Sequence, residues 1–406
     1  MTAERTFVIV GAGLAGAKAA ETLRAEGFEG RVQLIGSETE RPYERPPLSK
    51  GLLLGTAGRD EPYVHDTSWY AGQNIELRTG VTVGSIDPAA HTVRTDSGEE
   101  IGYDRLLLTT GASPRTLPIP GAERALTLRT YADSDRIAER VSKGTRLVII
   151  GAGWIGLEVA AAAREHGATV TVVETAALPL LRVLGDRVAE VFAALHREHG
   201  VEFRFGAQVE RITGDGVVLA GGETLEADEV LLAVGVAPNT GLAADAGLAV
   251  GDGVLVDGSL RTSDPDIFAA GDIAAIDHPL LGARVRVEHW ANALNGGPVA
   301  AKAMLGQDAR VDFLPYFFTD QYDLGMEYAG WVPPQATPEV VIRGDLATRE
   351  FIAFWTLDGR VLAGMNVNVW DVSDAIQDLI KAGLKGATVD PARLADPGVP
   401  LADLLP

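Results

Sequence analysis

Two stretches of the chain place glycines where a phosphate-bearing ligand would need them. Gly11-Ala12-Gly13-Leu14-Ala15-Gly16 follows the apolar run Phe7 to Val10, and Gly151-Ala152-Gly153-Trp154-Ile155-Gly156 follows Arg146 to Ile150. In this spacing the first glycine permits a tight turn and the second lets a pyrophosphate approach the backbone. The third lets the following helix pack closely on the strand. An acid follows each triplet near the end of a second apolar run, Glu38 after Val32 to Ile35 and Glu174 after Thr169 to Val173. A carboxylate there accepts hydrogen bonds from a ribose diol. One glycine triplet is a weak signal, but strand, triplet, helix, strand and acid in register, twice, predict two bound dinucleotides.

The elements needed to hold these residues are legible around them. Ala17 to Ala25 and Leu157 to Glu165 read as helices whose N-terminal amides face the phosphates. Short strands are predicted at Asn74 to Leu77, Thr82 to Ile86, His91 to Thr95 and Arg105 to Thr110. The last delivers the chain to the small-residue turn Thr110-Gly111, at the carboxyl end of a strand, where open α/β sheets bind ligands. Glu223 to Gly235 repeats Glu99 to Gly111, so a whole nucleotide-binding unit is duplicated. Thr262 to Asp272 reads as a turn, a short strand and an acidic end, and Ala291 to Leu305 as a helix interrupted by Gly296-Gly297-Pro298. From about Arg310 aromatic-rich strands (Tyr316 to Phe318, Val340 to Ile342, Phe351 to Thr356) and an amphipathic helix, Ser373 to Ala382, suggest a third, α+β domain.

The fold class is therefore α/β: two Rossmann-like dinucleotide-binding domains plus a smaller C-terminal α+β domain. The expected boundaries are 1–115 with 240–309 for the first nucleotide, 116–239 for the second and 310–406 for the third domain. With 406 residues, 46% hydrophobic and 22% charged, the chain has enough apolar content for several cores. A formal charge of −21 disfavours nucleic acid and anionic membranes as general partners. No run is apolar and long enough to span a bilayer, and the N-terminus has no secretory pattern, so a cytoplasmic location is expected. With no cysteine there is no disulfide, thiolate metal site or redox-active dithiol. His196 and His199, one turn apart, are expected on a solvated helix face rather than at a metal, and no metal site is expected elsewhere.

Two G-x-G-x-x-G units flanking Thr262-Ser263-Asp264-Pro265-Asp266-Ile267-Phe268-Ala269-Ala270-Gly271-Asp272 resemble the two-dinucleotide-domain flavoprotein disulfide reductase superfamily, whose fold is glutathione reductase-like. Arg45-Pro46-Pro47-Leu48-Ser49-Lys50 and Asp320-Gln321-Tyr322 resemble, within it, the FAD-dependent NADH:ferredoxin reductases of the putidaredoxin reductase type. The resemblance covers essentially the whole chain. It implies non-covalent FAD, NADH as donor, and a 2Fe–2S ferredoxin as partner in a cytochrome P-450 or Rieske oxygenase system.

At matching positions the resemblance assigns FAD to Gly11, Gly13, Ala15, Gly16, Ser37 or Glu38, Arg45, Lys50, Val83, Thr110, Gly111, Arg129, Gly271, Asp272, Glu288, His289 and Trp290. It assigns NADH to Gly151, Gly153, Ile155, Gly156, Glu158, Glu174, Arg182 and Gly235. Asp272 would accept from a ribityl hydroxyl and Trp290 would meet the flavin with its backbone. Lys50 and Glu158 would form the catalytic pair, the lysine stabilising negative charge on the reduced flavin and the glutamate guiding the nicotinamide carboxamide. Composition alone would equally allow Lys50 to be a surface charge and Glu158 a first-turn helix acid serving the macrodipole. Phe318 and Asn368-Val369-Trp370 depart from the family pattern.

Two other activities fit the same superfamily. NADH oxidases and disulfide reductases that work through sulfur are disfavoured by the missing cysteine. An NADH-sensing flavoprotein of the apoptosis-inducing-factor type is the other alternative. Because ferredoxins of this kind are acidic too, a local basic patch is expected to steer docking, with Arg310, Arg343, Lys381 and Lys385 as its members.

Overall fold

The apolar runs before the glycines are buried on both faces, which parallel sheets require. In the computed structural model, which describes residues 5–405, contacts divide the chain into two compact units. One takes Met1–Glu44, Asp60–Ser113 and Ala237–Tyr316, and the other Arg45–Arg59, Pro114–Val236 and Phe317–Pro406. The stretch Arg45–Arg59 thus groups with the second glycine repeat, as does the C-terminal part of the chain.

In the first unit a parallel sheet runs in the order Ile267–Ala269, Arg105–Leu108, Thr6–Val10, Arg31–Ile35, Ile75–Arg78. Phe7, Val8 and Ile9 of its central strand are at most 1% exposed. The helix Leu14–Ala25 starts a turn earlier than its periodicity suggests, directly on Gly13. The helix predicted to break at Gly296-Gly297-Pro298 instead runs unbroken over Trp290–Met304. Packing overrides propensity here: a Cβ on Gly297 would fall 2.4 Å from the Ala15 carbonyl oxygen, so this glycine lets the two helices close on each other.

The second unit repeats the scheme with the sheet Glu202–Phe205, Thr169–Glu174, Arg146–Ile150, Glu229–Leu232 and the helix Trp154–Glu165. The duplication extends to single hydrogen bonds. Gly11 N–H donates to Ile35 and Gly151 N–H to Val173; Thr109 N–H donates to Val10 and Ala233 N–H to Ile150. Arg45 to Lys50 is not a plain loop but a short 3-10 turn, Pro46–Ser49, with proline at its start and the brief helix Gly51–Leu54 after it.

The C-terminal part of the chain forms a five-stranded sheet in the order Tyr316–Gln321, Leu324–Gly330, Arg360–Val367, Glu350–Leu357, Glu339–Asp345, covered by the helix Ser373–Leu384. Its central strands, Leu324–Gly330 and Arg360–Val367, went unrecognised in the sequence. Phe351, Phe354 and Met365 are fully buried in it. Arg343 corrects an expectation. It is only 9% exposed and donates to the carbonyls of Asp396 (2.5 Å), Pro397 (3.3 Å) and Val399 (2.6 Å), clamping the C-terminal segment rather than offering a docking charge. Arg310 is exposed and Lys381 half-buried; they sit near Asp308 (3.6 Å) and Asp378 (3.9 Å), respectively.

His196 is a second correction. It lies on the buried face of the helix Asp186–Glu198, is 0% exposed and bonds Gln321 through Nε2 at 2.8 Å. Burial pushes its pKa down to about 4, against the pull of Gln321, and burial does the same to His289 against the pull of Asp272.

Two predictions follow from these buried groups. Arg343→Met should cost about 2–4 kcal/mol, as charge-assisted bonds to three carbonyls are lost, and an unchanged thermal midpoint would contradict the clamp. An unfolded histidine titrates near about 6.5, so the unfolded chain binds more protons than the folded one between that value and about 4. This contribution to stability is complete above about pH 6.5 and is lost as pH falls toward about 4. His196→Gln should reduce the acid-side loss in urea unfolding by up to about 3 kcal/mol; an identical pH slope would refute the assignment.

Candidate functional site

The first-unit cradle is built by backbone crowding. Gly11 has φ +116°, and a Cβ there would lie 2.2 Å from the Thr109 carbonyl oxygen. The Thr109 hydroxyl bonds the Gly11 carbonyl at 2.7 Å and fixes the turn. By contrast a Cβ on Gly13 would meet nothing within 4 Å, so this side of the loop is open to a ligand. Gly13 caps the helix Leu14–Ala25 without a side-chain hydrogen bond, leaving the amides of Ala15 and Gly16 without a competing side-chain cap. These features fit a dinucleotide pyrophosphate.

Around it the first unit gathers most of the other predicted FAD residues. Thr110 and Gly111 are fixed by Asn239, whose side chain donates to the Thr110 carbonyl (2.8 Å) and whose N–H donates to Gly111 (3.0 Å). Gly271 lies against Ala15, and the short turn Gly271–Ile273 carries Asp272. His289 caps the helix that Trp290 begins, and the Trp290 indole N–H donates to Glu44 at 3.1 Å. Glu288 pairs with Arg286 at 2.5 Å. Ser37 is exposed, whereas Glu38 accepts from the Tyr43 hydroxyl, and Val83 is a buried strand residue. The structure places Arg45, Lys50 and Arg129 in the second unit, where Arg45 donates to the Arg129 carbonyl.

The second-unit cradle is the same device. Gly151 has φ +105° and would strike Ala233, while Gly153 is open and caps its helix without a side chain. Ile155, in the first turn, is 43% exposed, an apolar side chain beside the loop. The acids of the two repeats are not equivalent, however. Val81 N–H bonds the Gly36 carbonyl as Ala207 N–H bonds that of Glu174, so Gly36 is the counterpart of Glu174, and Glu38 sits two residues further on. A Cβ on Gly36 would lie 2.5 Å from the Ala12 Cβ, which excludes an acid there. Glu174 instead turns its carboxylate onto the loop, accepting from Ala152 N–H (2.9 Å), Ala176 N–H (2.9 Å) and the Thr175 hydroxyl (3.0 Å). Burial acts to raise its pKa, but these donors outweigh it and hold the carboxyl below the usual range. Arg182 is exposed in the turn Leu181–Leu184, and Gly235 accepts from Arg115 N–H at 2.9 Å.

Lys50 and Glu158 are brought together. Glu158 is 4% exposed, in the first turns of its helix, and Lys50 Nζ lies 2.7 Å from its Oε1. Two donors that sequence reasoning missed complete its shell: the Ser49 hydroxyl on Oε2 and the Thr319 hydroxyl on Oε1, at 2.5 Å. Ser49 and Thr319 stand beside the quoted Arg45 to Lys50 and Asp320 to Tyr322 segments, which was the available signal. The pair opens on a cavity of about 380 Å³ lined also by Asp320, Glu165 and His166. Burial raises the Asp320 pKa; Lys50 opposes this and Glu158 adds to it. Such a site presents a fixed anion beside a fixed cation, suited to orienting a carboxamide and to stabilising charge that develops nearby.

Residues 5–297 match the family model of pyridine nucleotide-disulphide oxidoreductases and residues 316–405 that of the reductase C-terminal domain. The chain is 41% identical to the ferredoxin–NAD(+) reductase component of the anthranilate 1,2-dioxygenase system of Burkholderia cepacia, covering 98% of this chain and 99% of that one. It is 37% identical to putidaredoxin reductase of Pseudomonas putida, over 100% of this chain and 98% of that one. The structure also resembles that of the covalent putidaredoxin reductase–putidaredoxin complex, with a TM-score of 0.93 at 36% identity, covering 99% of this chain and 98% of that one. With the two cradles and the Lys50–Glu158 pair in place, the chain belongs to the pyridine nucleotide-disulphide oxidoreductases, among the ferredoxin–NAD(+) reductases of the putidaredoxin reductase type.

Proposed function

We propose that the protein is a cytoplasmic FAD-dependent NADH:ferredoxin oxidoreductase, which supplies a 2Fe–2S ferredoxin serving a cytochrome P-450 or Rieske oxygenase. The observation that carries this reading is likeness over the whole chain to ferredoxin reductases of a dioxygenase system and of the CYP199A2 system, in a protein without cysteine. Bound FAD supplies the redox chemistry, accepting a hydride from NADH and giving up electrons one at a time.

The residues divide the remaining work. Gly11, Gly13, Ala15 and Gly16 bind the FAD pyrophosphate and Asp272 takes a ribityl hydroxyl. Ser37 or Glu38 takes the ribose, the Tyr43 contact favouring Glu38 as the oriented one. Val83, Thr110, Gly111, Gly271, Glu288, His289 and Trp290 are assigned to FAD as well, as are Arg45, Lys50 and Arg129. Gly151, Gly153, Ile155, Gly156 and Gly235 bind NADH. Glu174, already charged and fixed on the loop, accepts from the adenosine 2′-hydroxyl and repels a 2′-phosphate, a repulsion Arg182 partly offsets. Glu158 orients the nicotinamide amide, and Lys50 places positive charge for the reduced cofactor.

Acid precipitation should release FAD into a yellow supernatant; pigment retained in the pellet would refute non-covalent binding. NADH should be preferred over NADPH, and Glu174→Gln, which keeps an acceptor for Ala152, should narrow that preference by on the order of 1–3 kcal/mol. Equal kcat/KM of the wild type for both nucleotides would contradict this. Cytochrome c reduction by NADH should require added 2Fe–2S ferredoxin and slow as salt screens the encounter. Full activity without ferredoxin would sink the reading.

A further inference from the structure

Glu158 is the end of a longer buried string. The Thr319 oxygen that donates to it also accepts from Gln321 Nε2 at 3.1 Å, and Gln321 Oε1 meets His196 Nε2 at 2.8 Å. Thr319 and Gln321 are each 1% exposed and His196 is 0% exposed, so water cannot substitute for any link. The polarity of the string follows from its first member. A carboxylate paired with an ammonium only accepts, so Thr319 must donate to it and its oxygen is left to accept. Gln321 then donates its amide proton and presents its carbonyl oxygen, which requires His196 to carry its proton on Nε2. His196 Nδ1 is thereby a bare acceptor, and it makes no hydrogen bond among the described residues. Every proton in the string points toward Glu158.

We propose that His196 is a positioning residue for the hydride step, acting through Gln321 and Thr319 to hold the Glu158 carboxylate aimed beside Lys50. This rests on the reductase reading for what Glu158 does, but not for how it is held. Ser49 and Lys50 hold the carboxylate from one segment, and Thr319 holds it from a second, which narrows its orientation beside the cavity. The titratable groups facing it there are Lys50, Asp320, Glu165 and His166. Burial keeps the His196 ring neutral down to about pH 4, so the string keeps its polarity throughout the working range.

The test compares FAD-loaded wild type with Thr319→Val, Thr319→Ser, Gln321→Leu, His196→Leu and His196→Gln. One readout is the infrared carboxylate stretch of Glu158, identified by its loss in Glu158→Gln, which needs no turnover. The other is the limiting rate of flavin reduction by NADH. Thr319→Val, Gln321→Leu and His196→Leu should each shift the carboxylate stretch, as a link in the string of donors to it is lost. They should also lower the limiting rate and leave KM for NADH nearly unchanged. Thr319→Ser and His196→Gln keep the donors and should follow the wild type. A stretch and a rate unmoved in His196→Leu, or a loss of rate shared by Thr319→Ser and His196→Gln, would overturn the proposal. If His196→Leu does not fold, His196→Phe, which keeps a ring and removes the donor, decides. A wild type that NADH does not reduce would defeat the reductase reading instead, and the infrared shift would still judge the string.

Discussion

A carboxylate that is only 4% exposed loses most of its hydration, and stays charged only where ion pairing and hydrogen bonds replace what water supplied. For Glu158 the replacements come from two separated parts of the sequence, Ser49 with Lys50 and Thr319, neither of them its own helix. This requirement explains why a proline-fixed turn, a Rossmann helix and a strand of the C-terminal sheet belong to one compact unit. Removing Lys50 alone would leave a buried charge unpaired, at a cost of about 3–5 kcal/mol. The pair therefore links stability to chemistry: the geometry that keeps the carboxylate charged also keeps it aimed.

The two repeats show one backbone put to two uses. Both leave one side of a glycine loop open and the helix N-terminus free of side-chain caps, a form that suits a pyrophosphate. They diverge at the end of the second strand, at Gly36 and Glu174. Glu174 secures its own loop through Ala152, whereas at Gly36 the approach of Ala12 forbids any side chain and the acid is displaced to Glu38, held by Tyr43. A shift of two positions is enough to build two differently supported acids on the same scaffold.

The parts legible in the sequence were those where one local pattern decides the outcome. Apolar strand, glycine triplet and helix fall within twenty residues in each repeat, Thr6 to Ala25 and Arg146 to Glu165, and Phe7 to Val10 or Arg146 to Ile150 needed no distant information. The strands Leu324–Gly330 and Arg360–Val367 were illegible because they lie centrally and are buried on almost every residue, so they lack polar alternation and carry glycines besides. The unbroken helix through Pro298 depends on Gly297 meeting Ala15, a contact nothing local announces. The site was half legible. Lys50 and Glu158 were named, but Thr319 lies 161 residues from Glu158. His196 could have been placed inward, since it shares a helix face with Val188, Phe192 and Leu195. The basic patch failed at Arg343 because charge composition does not say which cations the fold consumes.

The central claim is that reducing equivalents taken from NADH as a pair leave this protein singly to a ferredoxin. Anaerobic addition of one equivalent of NADH to the FAD-loaded protein, followed by stepwise addition of oxidised 2Fe–2S ferredoxin, measures it directly. The account predicts that NADH bleaches the flavin and that two ferredoxins per NADH become reduced as the oxidised flavin spectrum returns. A flavin that stays reduced in the presence of ferredoxin, with a persistent long-wavelength charge-transfer band, would contradict it and point to an NADH-sensing role.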